Sequence, residues 1–104
     1  MPLDDLIARL EQAANGSPAL DAEVAVLVAP GADNVATPPY TSSVEAALTL
    51  IDERFEIGLQ REGSSWSAWC EPPKWFSRLR HYPAKQPALA LCIAALEARR
   101  RQAS

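Results

Sequence analysis

From Ala88 to Leu96 the chain carries no charged side chain, and Pro87 stands immediately before that stretch. Proline suits the first turn of a helix, where its missing N–H costs nothing and its fixed φ is already helical. A helix apolar on every side cannot rest on a protein surface. It must be central in the fold or be covered by a second subunit. The uncharged run from Pro87 to Leu96 spans ten residues, too short for the ~20 that cross a bilayer. The helix therefore needs protein around it, from a chain of only 104 residues, the length of one domain. At 48% hydrophobic and 22% charged residues, the composition is that of a folded domain rather than a disordered segment.

The covering elements can be read from periodicity and punctuation. Leu3 to Ala14 reads as an amphipathic helix, with Leu3, Leu6, Ile7 and Leu10 on one face, Asp4 and Asp5 in its first turn, and Asn15-Gly16 as its stop. Ser17-Pro18 restarts the chain in cap-then-proline order. Leu20 to Ala29 fits two patterns: Val24, Val26 and Val28 alternate like a strand, while Leu20, Val24, Leu27 and Val28 form a helical stripe. Pro30 to Pro39 reads as a loop. Ser42-x-x-Glu45 then matches a capping box, so a helix should begin near Ser43 and bury Val44, Ala47, Leu48 and Ile51.

Beyond Asp52 the period falls to two. Phe55, Ile57 and Leu59 alternate with Glu56, Gly58 and Gln60, as in a half-buried strand. Glu62-Gly63-Ser64-Ser65 turns the chain, Trp66 to Glu71 returns as the second strand of a hairpin, and Pro72-Pro73 ends it. Within Lys74 to Gln86 a short third strand around Trp75 to Leu79 is possible. The expected fold is α+β: helices packed on a small antiparallel β-sheet, an α/β/α-type sandwich in a single domain over residues 1–104, in the order α-α-α-β-β-(β)-α. Trp66 and Trp69 fall on opposite faces of their strand, so one core cannot take both. One should be exposed, lie under a helix, or sit in a subunit interface. With the apolar last helix, that pair leads to the expectation of a homo-oligomer.

Charge is unevenly distributed. Residues 1–73 hold three basic and twelve acidic groups, a net −9, and residues 74–104 hold seven basic and one acidic, a net +6. The two parts can neutralise each other in the fold, or the basic part can face an anionic ligand. The overall charge of −3 argues against duplex nucleic acid as a partner, since phosphate neutralisation drives such binding. Met1-Pro2-Leu3-Asp4-Asp5 has neither the basic start nor the apolar stretch of a signal peptide. Cys70 and Cys92 stand apart from any ligand cluster and read as two small buried thiols of a cytoplasmic protein. No membrane partner and no cofactor are expected.

Nothing in the pattern points to catalysis. His81 is the single histidine, no His or Cys pair has metal-ligand spacing, and the serines lack a GxSxG setting. The adjacent carboxylates Asp4-Asp5 and Asp52-Glu53 sit at helix ends, where solvation accounts for them. The segment Lys74-Trp75-Phe76-Ser77-Arg78-Leu79-Arg80-His81-Tyr82 is different, because cations alternate with aromatics. Arg78 and Arg80 can each fork onto a phosphate, and Trp75, His81 or Tyr82 can stack on a flat ring. The competing reading is an edge strand or loop with its aromatics in the core and its arginines merely solvated. Tyr40, after Pro38-Pro39, is either a ligand lid or the anchor of its loop. Arg99-Arg100-Arg101 complements the dipole of the last helix without any ligand.

Four stretches taken together resemble the phage ABA-sandwich group of small phage and prophage proteins. They are Leu20-Asp21-Ala22-Glu23-Val24-Ala25, Pro39-Tyr40-Thr41-Ser42-Ser43, Ala46-Ala47-Leu48-Thr49-Leu50 and Pro87-Ala88-Leu89-Ala90-Leu91-Cys92, about half the chain, in the group's order. The resemblance implies a phage or prophage accessory protein at work in the host cytoplasm, favours a helix over Leu20–Ala29, and implies no reaction. Joined to the basic–aromatic segment, it leads to a non-enzymatic protein that binds a small anionic ligand. A host nucleotide defence signal, held as by a sponge, is the ligand of choice, with Trp75, Arg78, Arg80, His81, Tyr82 and Tyr40 as the contacting residues. The alternatives are a module docking on a host or phage protein, and a structural accessory protein with no discrete ligand.

Overall fold

The computed structural model describes residues 2–28, 37–51, 55–71 and 82–103. They form an α+β fold, with helices packed on a three-stranded antiparallel sheet. Helices α1 (Pro2–Gln12), α2 (Pro18–Val28) and α3 (Val44–Leu48) come first. Strands β1 (Glu56–Glu62), β2 (Ser65–Glu71) and β3 (Tyr82–Ala84) follow, and α4 (Pro87–Ala103) closes the chain. The order is the one expected. The possible strand at Trp75–Leu79 lies outside the described residues, and the third strand among them is β3.

The ambiguity at Leu20–Ala29 resolves as a helix over its described part, and the reason is local. Ser17 Oγ accepts from the Leu20 N–H at 3.2 Å and the Ser17 carbonyl accepts from the Asp21 N–H at 2.9 Å, so Ser17 caps a helix whose first residue is Pro18. At α3 the cap is Ser43 rather than Ser42: Ser43 is extended and its Oγ accepts from the Ala46 N–H at 3.3 Å. The helix stops after Leu48, Thr49 caps its end, and the turn that follows points Leu50 and Ile51 inward. Leu48, expected in the core, is 38% exposed. Ala47 and Ile51 are buried as expected, and Val44 is half-buried.

In the sheet β2 lies between β1 and β3. Ile57 pairs with Cys70, Leu59 with Ala68, and Ala68 in turn with Tyr82. Pro83 is confined to the edge strand β3, where its missing N–H breaks no ladder. The hairpin turns on Gly63-Ser64, with φ +63° at Gly63 and no positive φ at Ser64. That combination marks the type II′ turn, whose first central position favours glycine. Ala68 and Cys70 are buried on the face of β2 that meets α4, and Trp66, half-buried, packs against the same core. Trp69 points the other way, and its ring covers Gly58 on β1 so closely that a side chain there would occupy the ring's place. Trp66 and Trp69 thus each have a place within one chain. The edge strand β1 is less covered than its alternation suggests: Phe55 and Leu59 are partly buried, but Ile57 is 39% exposed.

Helix α4 is the centre. Leu89 to Leu96 are buried without a break, because α4 packs on β2 and β3 while α1 and α3 pack on α4. Its apolar circumference is therefore satisfied inside one chain, and it no longer calls for a second subunit. Two polar links tie α4 and the residue before it to α1 and the turn that follows it. Gln86 Nε2 donates to Asn15 Oδ1 at 3.4 Å. Near the other end, Arg100 bonds both Asp4 and the buried Glu97, the latter at 2.7 Å. Part of the basic C-terminal charge is spent in this way on the acidic N-terminal part. No helix of the described residues is long and apolar enough to cross a membrane.

Candidate functional site

Of the six residues assigned to ligand contact, Trp75, Arg78, Arg80 and His81 lie outside the described residues. Tyr40 and Tyr82 are placed. Tyr40 belongs to the core cluster, and its carbonyl accepts from the Cys92 thiol at 3.1 Å. It anchors its loop, the second of the two roles open to it. Tyr82 opens β3, half-buried against the core, paired with Ala68. It is the fixed C-terminal end of the basic–aromatic segment. The last described residue before that segment is Glu71, which closes β2 opposite Glu56.

The strongest polar cluster among the described residues was not apparent from the sequence. Asp21 is buried on α2 and accepts from Thr41 twice, from the N–H at 2.8 Å and from the hydroxyl at 2.5 Å. Thr41 Oγ1 in turn accepts from the Ser17 N–H at 3.0 Å. Gly16 completes the corner: a Cβ there would fall on the Thr41 carbonyl. This network pins the Tyr40 loop to the start of α2. Its sequence signal, an Asp in the first turn of a helix, is indistinguishable from a solvated dipole partner.

Both cysteines are buried and fixed by weak S–H bonds, Cys70 to the Ala94 carbonyl at 3.3 Å and Cys92 to that of Tyr40. Burial, with the negative charge of Asp21 adding to it, pushes the Cys92 thiol up to about 12. A thiol so protonated is a packing group rather than a nucleophile at neutral pH. Among the described residues no group of three or more His, Cys, Asp or Glu side chains is placed to hold a metal ion.

Three concavities among the described residues are open to small molecules. One of about 210 Å³ lies between α3, β2 and α4, walled by Leu50, Ile51, Phe55, Cys70 and Ala95, with Arg99 at its edge. Arg99 donates to the Leu50 carbonyl there at 3.4 Å. A second, about 200 Å³, is bounded by Gly16, Thr41, Ser42 and the start of α4 at Gln86 and Pro87. The third is an apolar groove of about 250 Å³ between α1 and α2. All three fall below the ~300–1,000 Å³ of drug-sized ligand pockets.

Scans of the chain against protein-family models, curated proteins and solved structures found no match. The likeness to the phage ABA-sandwich group rests on the sequence pattern alone.

Proposed function

We propose that this chain is a non-catalytic binding protein that captures a small anionic ligand, a nucleotide by preference, through the segment Lys74–Tyr82. The observation that carries the reading is how that segment is held. The chain leaves β2 at Glu71 and rejoins the sheet at Tyr82, which pairs with Ala68 of the same strand. Both ends of the connection are therefore fixed to β2, three residues apart along it. Between them stand Lys74, Trp75, Phe76, Arg78, Arg80 and His81. Connections held at both ends by a rigid sheet are where binding residues concentrate.

The use of cations elsewhere points the same way. Arg9 pairs with Glu23, and Arg100 with Asp4 and Glu97. Those arginines serve the fold, while Lys74, Arg78 and Arg80 add three positive charges over a few residues rich in rings. Guanidinium forks suit phosphate oxygens and the rings suit a base. The phage resemblance supplies the setting we favour, an accessory protein that sequesters a host nucleotide signal in the host cytoplasm. Such a protein needs affinity and no reaction.

Thermal-shift measurements of the purified chain against linear and cyclic nucleotides test the proposal, because a ligand that binds only the folded state raises the melting temperature with its concentration. A saturable rise for one nucleotide class supports it. A flat response across the panel transfers the segment to a protein partner instead.

A further inference from the structure

Between the end of α1 and the Ser17 cap of α2 stands the dipeptide Asn15-Gly16. Asn15 is exposed and belongs to no helix. Its side-chain oxygen accepts from Gln86 Nε2 at 3.4 Å, while among the described residues nothing accepts from its Nδ2 or from the Gly16 N–H. Gly16 has no Cβ, so its nitrogen can come close to the Asn15 side chain. A backbone nitrogen without an acceptor, a side-chain carbonyl polarised by a donor, and an amide free to leave are the parts of an intramolecular acyl transfer.

We infer that Asn15 is a site of spontaneous covalent modification, where Gly16 closes a succinimide and one of the two products loosens the corner built by Gly16, Thr41 and Asp21. Solvent base takes the Gly16 amide proton, and the nitrogen attacks Asn15 Cγ. Negative charge gathers on Oδ1 beside the Gln86 donor, the Cγ–Nδ2 bond breaks, and ammonia leaves with a proton from water. The ring then takes up one water. Breaking the new N–Cγ bond gives an ordinary aspartate. Breaking the original peptide C–N bond instead leaves the main chain running through Cβ and Cγ, an iso-aspartate. The aspartate keeps the length of the chain and an oxygen for Gln86. The iso-aspartate adds an atom to the main chain just ahead of Gly16, where a Cβ would already fall on the Thr41 carbonyl. Ser17, the next residue, is tied by its N–H to Thr41 Oγ1 at 3.0 Å, the same hydroxyl that donates to Asp21. The extra length therefore drives Gly16 against the Tyr40 loop and disturbs the Asp21–Thr41 bonds. Stability then declines with the age of the chain.

Storage of the folded full chain in mildly alkaline buffer, followed by peptide mapping and mass spectrometry, tests this. Asn15 should convert to the acid faster than Asn34, the only other asparagine, whose following residue is the β-branched Val35. Gln86→Ala should slow the conversion about two- to tenfold, the worth of one neutral hydrogen bond. The iso-aspartyl product, separated by ion exchange and identified with isoaspartyl methyltransferase, should melt about 4 °C or more below the parent. Asn15→Asp carries the same added charge and should melt with the parent, so the loss reports the lengthened backbone. Asn15→Gln, which would have to close a larger ring, should keep its melting temperature through storage. An Asn15 that stays intact, or converts no faster than Asn34, overturns the inference. So does an unchanged rate in Gln86→Ala, an iso-aspartyl product that melts with the parent, or an Asn15→Gln chain that declines as the parent does.

Discussion

Asp21 holds Thr41 by two hydrogen bonds, from the backbone N–H at 2.8 Å and from the hydroxyl at 2.5 Å. A single carboxylate thereby fixes the loop that carries Tyr40 and leads into α3. Asp21→Ala leaves the buried Thr41 N–H without its acceptor, and a hydrogen bond to a charged group contributes about 1.5–3 kcal/mol. Urea denaturation should show a loss of that size, and Asp21→Asn, which keeps an acceptor, should lose less.

Gly16 touches the same corner from the other side. Its neighbour is the Thr41 carbonyl, a backbone atom that cannot rotate away as a side chain would. Gly16→Ala should therefore destabilise by about 1–3 kcal/mol, as overpacking does, even though alanine is ordinarily the safer residue. An unchanged denaturation midpoint would mean that the loop gives way freely.

Two leucine-sized positions separate the buried helix from the surface one. Ile93 is 1% exposed at the centre of α4, so Ile93→Ala should cost about 2–5 kcal/mol. Leu48, exposed at the end of α3, should cost about 1 kcal/mol or less on the same change. Equal losses at the two sites would contradict the placement of α3.

Cys92 makes stability depend on pH at the alkaline end. Its ordinary value is 9.0 and the fold raises it to about 12, so the folded chain keeps a proton that the unfolded chain gives up. Below about pH 9 this group costs the fold nothing, and between about 9 and about 12 the folded state loses ground as pH rises. Denaturation at about pH 7 and about pH 10.5 should show that decline, and Cys92→Ala should flatten it.

Much of this fold is legible in the sequence, because its signals are local and agree with one another. The uncharged run Ala88–Leu96 calls for a helix either central in the fold or covered by a second subunit, and α4 is central; Gly63 falls in the expected turn and supplies its positive φ. Where the reading erred, tertiary context outweighed pattern. Leu48 sits on the correct helical stripe, but α3 ends there and Leu50 takes the core position. Ile57 alternates correctly, but on the edge strand, where the helices cover less. Asp21 could not be found at all, since its partner Thr41 is twenty residues away and nothing in the sequence links them. Of the candidate ligand contacts, the structure fixes Tyr40 as a core anchor and Tyr82 as the end of the basic–aromatic segment. The four contacts between Trp75 and His81 rest on chemistry read from the sequence.

The central claim is that Arg78 and Arg80 serve a ligand rather than the fold, and titration calorimetry with the nucleotide that gives the largest thermal shift tests it most directly. Arg78→Ala and Arg80→Ala should each weaken binding by about 1.5–3 kcal/mol, the worth of one charge-assisted hydrogen bond, while the melting temperature of the free protein stays nearly unchanged. Trp75→Ala should also weaken binding, by about 1–3 kcal/mol of lost stacking. Arginine variants that bind as tightly as the parent, or that melt well below it without ligand, would contradict the account.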